Sequence, residues 1–282
     1  LDKWMPRFGV ETTFVPGADT EAWRAAVRPN TKAIFIEAPA NPLLEITDIA
    51  AVAAIAREIG AKVVVDNVFA TPVFTKPLQL GADIVVYSAT KHIDGQGRVL
   101  GGAVLGALDL IEDSYRDFIR HTGPALSPFN AWVVLKGLET LDLRVRRQTE
   151  TATLLADLIA DHPKVLTTRY PGRKDHPQHE VALRQMTGGT NRFQGGGTLV
   201  AFDLGSREAA FRFLNALQIT DISNNLGDAK SMATHPTTTT HRAMTDEQRA
   251  EIGLTPGWVR LSVGLEGAGD LARDIAQALD KA

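Results

Sequence analysis

Short apolar runs alternate with helix-spaced segments along the first half of the chain. Ala33-Ile-Phe-Ile-Glu37, Lys62-Val-Val-Val-Asp66 and Asp83-Ile-Val-Val-Tyr-Ser88 each have the length of a strand, and Gly102-Ala-Val-Leu-Gly106 adds a fourth. Runs that are apolar at nearly every position predict strands buried on both sides, hence an α/β fold with a mostly parallel sheet covered on each face. The stretch after the first run, Ala38-Pro-Ala-Asn-Pro42, cannot continue the strand because proline lacks the ladder donor. Thr20 to Val27 reads as a short helix ended by Arg28-Pro-Asn-Thr31. Thr47 is placed to cap a second helix, with Ile49, Val52, Ala53, Ala56 and Ile59 on one face and Gly60 as its stop.

Beyond Leu108 the spacing turns helical. Ser127-Pro128 opens a helix on which Trp132, Leu135, Leu138 and Leu141 recur toward Arg144. A further helix over Thr151 to Ala160 ends at His162-Pro163, which divides the chain into a larger domain, 1–162, and a smaller one, 163–282. In the smaller domain, strands at Val165 to Arg169, Thr198 to Asp203 and Trp258 to Val263 flank a helix carrying Ala210, Phe213, Leu214 and Leu217. A closing helix bears Leu271, Ile275 and Leu279. That mixture predicts an α+β unit. There is no internal repeat, and the Thr237 to Thr240 run is the one low-complexity stretch.

Composition narrows the function classes. The 282 residues are 44% hydrophobic and 22% charged, with a net charge of -3, so a full core is possible. No basic excess points to nucleic acid. No apolar run approaches the roughly 18 residues of a membrane span. The opening Leu1-Asp-Lys-Trp-Met-Pro-Arg7 lacks the pattern of a signal peptide. Absence of cysteine excludes disulfides and thiolate metal sites and fits a cytoplasmic protein. Absence of a starting methionine suggests processing or a fragment.

In an open α/β sheet, ligands gather at the carboxyl ends of the strands. Three such ends present Asn41, just past Glu37; Asp66; and the group Ser88, Thr90 and Lys91, followed by Gly95 and Gly97. Taken singly, Lys91 is most simply a solvated side chain, and Asp66 a helix cap or a metal ligand. Together they match what pyridoxal phosphate requires: an amine for a Schiff base, a carboxylate that keeps the ring nitrogen protonated, and donors for the phosphate. The 25-residue interval from Asp66 to Lys91 strengthens that match.

Five blocks carry a wider resemblance: Glu37-Ala-Pro-Ala-Asn-Pro42, Val64-Val-Asp-Asn67, Tyr87-Ser-Ala-Thr-Lys-His92, Lys136-Gly-Leu-Glu-Thr-Leu141 and Val259-Arg-Leu-Ser-Val-Gly-Leu-Glu266. In this order they resemble the transsulfuration family of pyridoxal-phosphate enzymes, which includes cystathionine synthases and lyases and homoserine-ester sulfhydrylases. The resemblance implies a fold-type I transferase, similar to aspartate aminotransferase. It implies Lys91 as the Schiff-base lysine and proton carrier, Asp66 at the ring nitrogen, Ser88 and Thr90 at the phosphate and Asn41 at the ring hydroxyl. Arg260 would hold the substrate α-carboxylate, a task suited to a planar two-pronged cation.

Two details resemble the sulfhydrylase branch. Asn225, in Ile222-Ser-Asn-Asn-Leu-Gly227, stands where synthases and lyases generally carry serine, and Asp94-Gly-Gln-Gly-Arg-Val-Leu-Gly-Gly102 is similar to O-succinylhomoserine sulfhydrylases. The implied reaction is γ-replacement on O-succinylhomoserine with sulfide, giving homocysteine and succinate. The implied assembly is a homotetramer built from dimers when the amino-terminal part of the family fold is present. Members of the family begin well before this sequence does. The absent part would hold the glycine turn that cradles the phosphate, the stacking tyrosine and residues reaching the neighbouring subunit's site. The expectation is therefore about half a site and, from this chain alone, little or no activity. The favoured reading is still a γ-replacement sulfhydrylase acting on a homoserine ester. The alternatives are cystathionine γ-synthase or γ-lyase activity, O-acetylhomoserine sulfhydrylase activity, or a non-catalytic chain kept for assembly or binding.

Competing motifs fail on spacing. His176, His179, and His235 to His241 read as solvated loop histidines without a third ligand for zinc. Gly95-Gln-Gly-Arg-Val-Leu-Gly101 is not followed by the Lys-Ser/Thr of a nucleotide loop. Gly188-Gly189 and Gly195 to Gly197 read as lying in the second domain, away from the sheet. Arg144, Arg146 and Arg147 read as a solvated helix face or a subunit contact.

Overall fold

The computed structural model describes residues 3–188 and 195–282; Leu1, Asp2 and Gly189, used above, lie outside the described residues. The first sheet has the order β1 (Ala33–Glu37), β2 (Lys62–Asp66), β3 (Ile84–Ser88), β4 (Gly102–Gly106). The first three strands are parallel, and β4 returns antiparallel along β3. Helix α1 (Thr20–Ala26) precedes β1, α2 (Ile49–Glu58) crosses from β1 to β2, and the short α3 (Thr71–Phe74) follows β2. Parallel pairing aligns the strand ends, so Glu37 lies beside Asp66 in the register.

Ile34, Ile36, Val63 and Val65 are buried beneath Ile49, Val52, Ala53 and Ala56 of α2. The opposite face departs from the expectation of two-sided cover. Phe35 there is 48% exposed, and Val64 and Ile84 are only partly buried. The all-apolar pattern states that both faces need cover; among the described residues the second face has it only in part, where Leu110 and Ile111 of the helical segment after β4 lie beside Ile84 and Val104.

Local chemistry adjusts several boundaries. Asp48, not Thr47, caps α2: its carboxylate accepts the Ala51 N–H at 3.0 Å, where a negative charge also suits the helix dipole. Ile59 falls at the cap and is 38% exposed, while Ile55 takes the inner position. After α4 (Arg116–Thr122), α5 (Pro128–Leu138) starts at Ser127, whose hydroxyl accepts the Asn130 N–H. Its expected core stripe is exposed, with Trp132, Leu135 and Leu138 outward and Val133 and Gly137 inward. The reason is close approach: a Cβ on Gly137 would stand 2.3 Å from the Ile93 carbonyl oxygen. The helix expected from Thr151 is continuous with the preceding turn, forming α6 over Leu141–Ala160. Within it Arg146 and Arg147 face solvent, but Arg144 is buried, which corrects the solvated-cluster reading.

The second sheet has the order β5 (Thr167–Arg169), β6 (Leu199–Asp203), β9 (Trp258–Ser262), β8 (Met232–Thr234), β7 (Asp221–Ile222). Only the β7–β8 pair is parallel. Helices α7 (His179–Gln185), α8 (Arg207–Ala216), α9 (Asp246–Glu251) and α10 (Ala268–Leu279) complete this half. Its core joins Phe202, Val259 and Leu261 to Phe213 of α8 and to Leu271, Ile275 and Leu279 of α10. Leu155 and Ile159 belong to the same core, so the C-terminal half of α6 packs with the second sheet. Among the described residues no helix is long and apolar enough to cross a membrane, and no acidic or histidine group could hold a metal ion.

His176 and His235 are each 3% exposed, which corrects the expectation of solvated loops. His176 lies 3.1 Å from the Leu44 carbonyl through Nε2 and accepts the Gln178 N–H at Nδ1, an arrangement only the neutral ring satisfies. Burial lowers its pKa from 6.5 to about 4, against the Leu44 carbonyl, which favours the charged ring. A depressed pKa gives stability that is full above 6.5 and lost as pH falls through about 4. His176→Gln can keep both hydrogen bonds and should flatten this part of the stability profile, read as the denaturant midpoint against pH. Parallel profiles in the two proteins would contradict the assignment.

Candidate active site

The site is assembled where the carboxyl ends of β1, β2 and β3 meet the middle of the second sheet. Asp66 ends β2, and its carboxylate accepts one backbone donor, Val68 N–H, at 3.1 Å. Burial raises its pKa, partly opposed by that donor. Glu37 ends β1 and accepts the Asn41 N–H at 3.1 Å. Burial, offset by this bond and reinforced by the charge of Asp66, lifts Glu37 to about 7.

The turn so fixed aims the Asn41 amide oxygen at Arg260, whose Nη1 donates to it at 2.7 Å. Arg260 sits within β9, is 2% exposed, and its guanidinium lies 5.9 Å from the centre of the Phe69 ring. Its Nη2 donates to the Asn224 and Asn225 carbonyls at 3.1 and 3.4 Å, and its Nε is buried without a partner. Every oxygen it touches is neutral. Burial pulls its pKa down to about 10, against the pull of Glu37. A buried cation without an ion pair costs several kcal/mol, and an approaching carboxylate would relieve that cost.

Lys91 follows β3. Ser88 leads into a wide helical turn, Ala89–Ile93, that is broken at Lys91 itself, with φ -88 and ψ -127. Such widened turns occur often at functional sites. The half-buried Lys91 amine donates to Oδ1 of Asn225. Burial first, and then the Arg260 charge, lower its pKa, which favours the neutral nucleophile. Ser88 makes no side-chain capping bond, whereas the Thr90 hydroxyl accepts the Gly101 N–H at 3.1 Å.

The residues singled out from sequence therefore converge. A continuous hydrogen-bonded path runs from Lys91 through Asn225 and Arg260 to Asn41 and Glu37. Asp66 joins it through the strand register, and Ser88 and Thr90 flank the lysine. Sequence reasoning gave no role to Glu37, Asn224 or Phe69. Glu37 carried the same signal as Asp66, a carboxylate ending a buried strand; Phe69 carried none. Gly188, Gly195 and Gly197 pack against Phe69 to Phe74, directly beyond Asp66, rather than away from the first sheet.

The residues fit pyridoxal phosphate. The Asp66 carboxylate is underprovided with donors, so a protonated ring nitrogen beside it would reverse its raised pKa. Burial and the Arg260 charge lower the Lys91 pKa toward a reactive amine, and the Arg260 Nε stands free for an anion.

An amine after a parallel strand, with a carboxylate ending the strand beside it, defines a pyridoxal-phosphate enzyme of fold type I. Over residues 1–280 the chain matches the family described as Cys/Met metabolism PLP-dependent enzyme, and it belongs to that family. Pyridoxal phosphate is the family's cofactor. The O-succinylhomoserine sulfhydrylase of Mycobacterium tuberculosis (strain H37Rv) is 52% identical over 98% of this chain and 67% of its own length. The same-named protein of Pseudomonas aeruginosa is 46% identical over 99% and 68%. A Bacillus subtilis cystathionine gamma-lyase is 41% identical over 99% and 72%. The crystal structure of cystathionine gamma-lyase from Lactobacillus plantarum complexed with L-serine superposes with a TM-score of 0.92 at 33% identity, covering 99% of this chain and 72% of that one.

A raised pKa at Glu37 gives stability that is full below 4.5 and lost as pH climbs through about 7. Glu37→Gln should remove that decline, so unfolding free energies at pH 5 and pH 8 should differ less in the variant. An unchanged difference would place Glu37 in a solvated setting.

Proposed function

We propose that the protein replaces the γ-substituent of O-succinylhomoserine with sulfide. The Cγ–O bond breaks with loss of succinate, and a Cγ–S bond forms to give homocysteine. One observation carries the substrate class: a buried guanidinium, bonded only to neutral oxygens, shares Asn225 with a half-buried lysine amine. An α-carboxylate is the anion that suits Arg260, and the shared asparagine sets the bound α-carbon on the side of Lys91.

In this reading residues 1–162 hold the cofactor and residues 163–282 bring Asn225 and Arg260. Pyridoxal phosphate, when bound, supplies the electron sink for charge developing next to the α-carbon. Lys91 would hold the cofactor, and its amine is the group that would take the α-proton and return protons along the substrate; its lowered pKa supports that role. Asp66 would pair with the ring nitrogen, Ser88 and Thr90 would hold the phosphate, and Asn41, which accepts from Arg260, would contact the ring hydroxyl. The choice of ester and nucleophile is supported by the two sulfhydrylase relatives and by Asn225. The exposed stripe of Phe129, Trp132, Leu135 and Leu138 is the surface on which a homotetramer of this reading would associate.

The test is product analysis with O-succinylhomoserine and O-acetylhomoserine, each offered sulfide or cysteine. Homocysteine from the succinyl ester should form with the highest kcat/KM. A keto acid from cystathionine or methionine as the main product would instead favour elimination. Lys91→Ala should lose the visible absorbance of bound cofactor, and its persistence would overturn the role of Lys91. Arg260→Lys should keep that absorbance yet raise KM for the amino acid by about tenfold to a hundredfold, since an ammonium cannot replace the fork.

A further inference from the structure

Arg144 is 7% exposed, and its donors go to neutral oxygens. Its Nε donates to the Thr140 hydroxyl at 3.0 Å and its Nη1 to the His92 carbonyl at 2.9 Å. Its Nη2 donates to the carbonyls of Gly137 at 2.8 Å and Ile93 at 3.3 Å. The nearby Asp94 carboxylate is occupied by Arg98, which binds it through its backbone N–H and Nε. Burying a guanidinium without an ion pair is unfavourable for stability alone. What Arg144 gains is a grip on the two carbonyls that immediately follow Lys91.

We propose that Arg144 is a positioning residue that holds the Lys91 turn against α5 and α6. This rests on the reading that Lys91 is the reactive amine. The broken helical conformation at Lys91 interrupts the regular ladder of its turn, so carbonyls beyond it need donors from elsewhere. On the amino side, Ala89 N–H and the Thr90 hydroxyl are fixed by Gly101. On the carboxyl side, Arg144 supplies the matching anchor from another element. Two glycines make room for it. A Cβ on Gly95 would lie 2.0 Å from Nη1, and one on Gly137 would strike the Ile93 carbonyl. The planar fork spans carbonyls from two chain segments at once, which an ammonium cannot do.

Arg144→Lys keeps the charge and removes the fork. In the cofactor-free protein, two readouts separate local positioning from general stability. The first is amide hydrogen exchange at Asp94 and Gly95 compared with β6 and β9. The second is the pH midpoint of Lys91 acetylation by acetic anhydride, followed by mass spectrometry. The variant should speed exchange at Asp94 and Gly95 by about tenfold and leave β6 and β9 unchanged. The Lys91 midpoint should rise toward that of a solvated lysine. Uniformly faster exchange, or an unmoved midpoint, would overturn the proposal. Should Arg144→Lys fail to fold, Thr140→Val removes the Nε bond and the long 3.5 Å bond from the Thr140 hydroxyl to the Gly137 carbonyl, and leaves the Nη1 and Nη2 bonds in place. It should give a smaller shift in the same direction; no shift there overturns it equally. Loss of the Lys91 role would appear separately, as cofactor absorbance that survives Lys91→Ala.

Discussion

A buried positive charge with no carboxylate beside it is the constraint on which the rest of the site depends. Arg260 can occupy the middle of β9 only because neutral oxygens from other segments surround it: Asn41 from the loop after β1, and Asn224 and Asn225 from the loop between β7 and β8. Strands β6 and β8 pair with β9 on either side, so its backbone cannot shift to release the charge. The cost of burial is met by the fold as a whole, and the guanidinium stays ready for an anion.

That constraint also seats the second sheet on the first. The loop that supplies carbonyls to Arg260 continues into Gly227 and Ala229. Ala229 N–H donates to the Gly95 carbonyl at 2.8 Å, while Gly227 lies so close to His92 that a Cβ would stand 2.7 Å from its backbone nitrogen. The same imidazole pairs with the Thr198 hydroxyl at 2.7 Å, and burial holds its pKa at about 3, keeping it neutral beside the lysine. One loop therefore touches the lysine turn, receives the lysine amine and supports the arginine.

Much of this was legible in the chain because strand ends are easy to read. The apolar runs fixed where β1, β2 and β4 begin and end, and parallel pairing then required Asp66 and Lys91 to approach one another. What periodicity could not supply was which faces find cover. The stripe of Trp132, Leu135 and Leu138 has helical spacing, yet α5 turns Gly137 inward, because only a residue without a side chain lets Ile93 come so near. Buried polar groups were harder still. Arg144 and His176 look like surface residues in a sequence, since their partners are backbone carbonyls that leave no residue signature. Glu37 was missed for a different reason: its role depends on Asp66 beside it in the register and on Arg260 in the other sheet.

The two buried arginines show how similar chemistry can serve different ends. Both are deprived of water, and both are held by neutral oxygens. In Arg144 the Nε and both terminal nitrogens have partners, so its charge serves to immobilise the chain around Lys91. In Arg260 the Nε remains unpartnered, and the nearest acidic group, Glu37, acts on it only through space. With four of its five N–H donors engaged on the chain, Arg144 has little left to offer a ligand, whereas Arg260, with its Nε unfilled near the lysine amine, does. The distinction lies in unfilled donors rather than residue type, and it separates the arginine that binds from the arginine that positions.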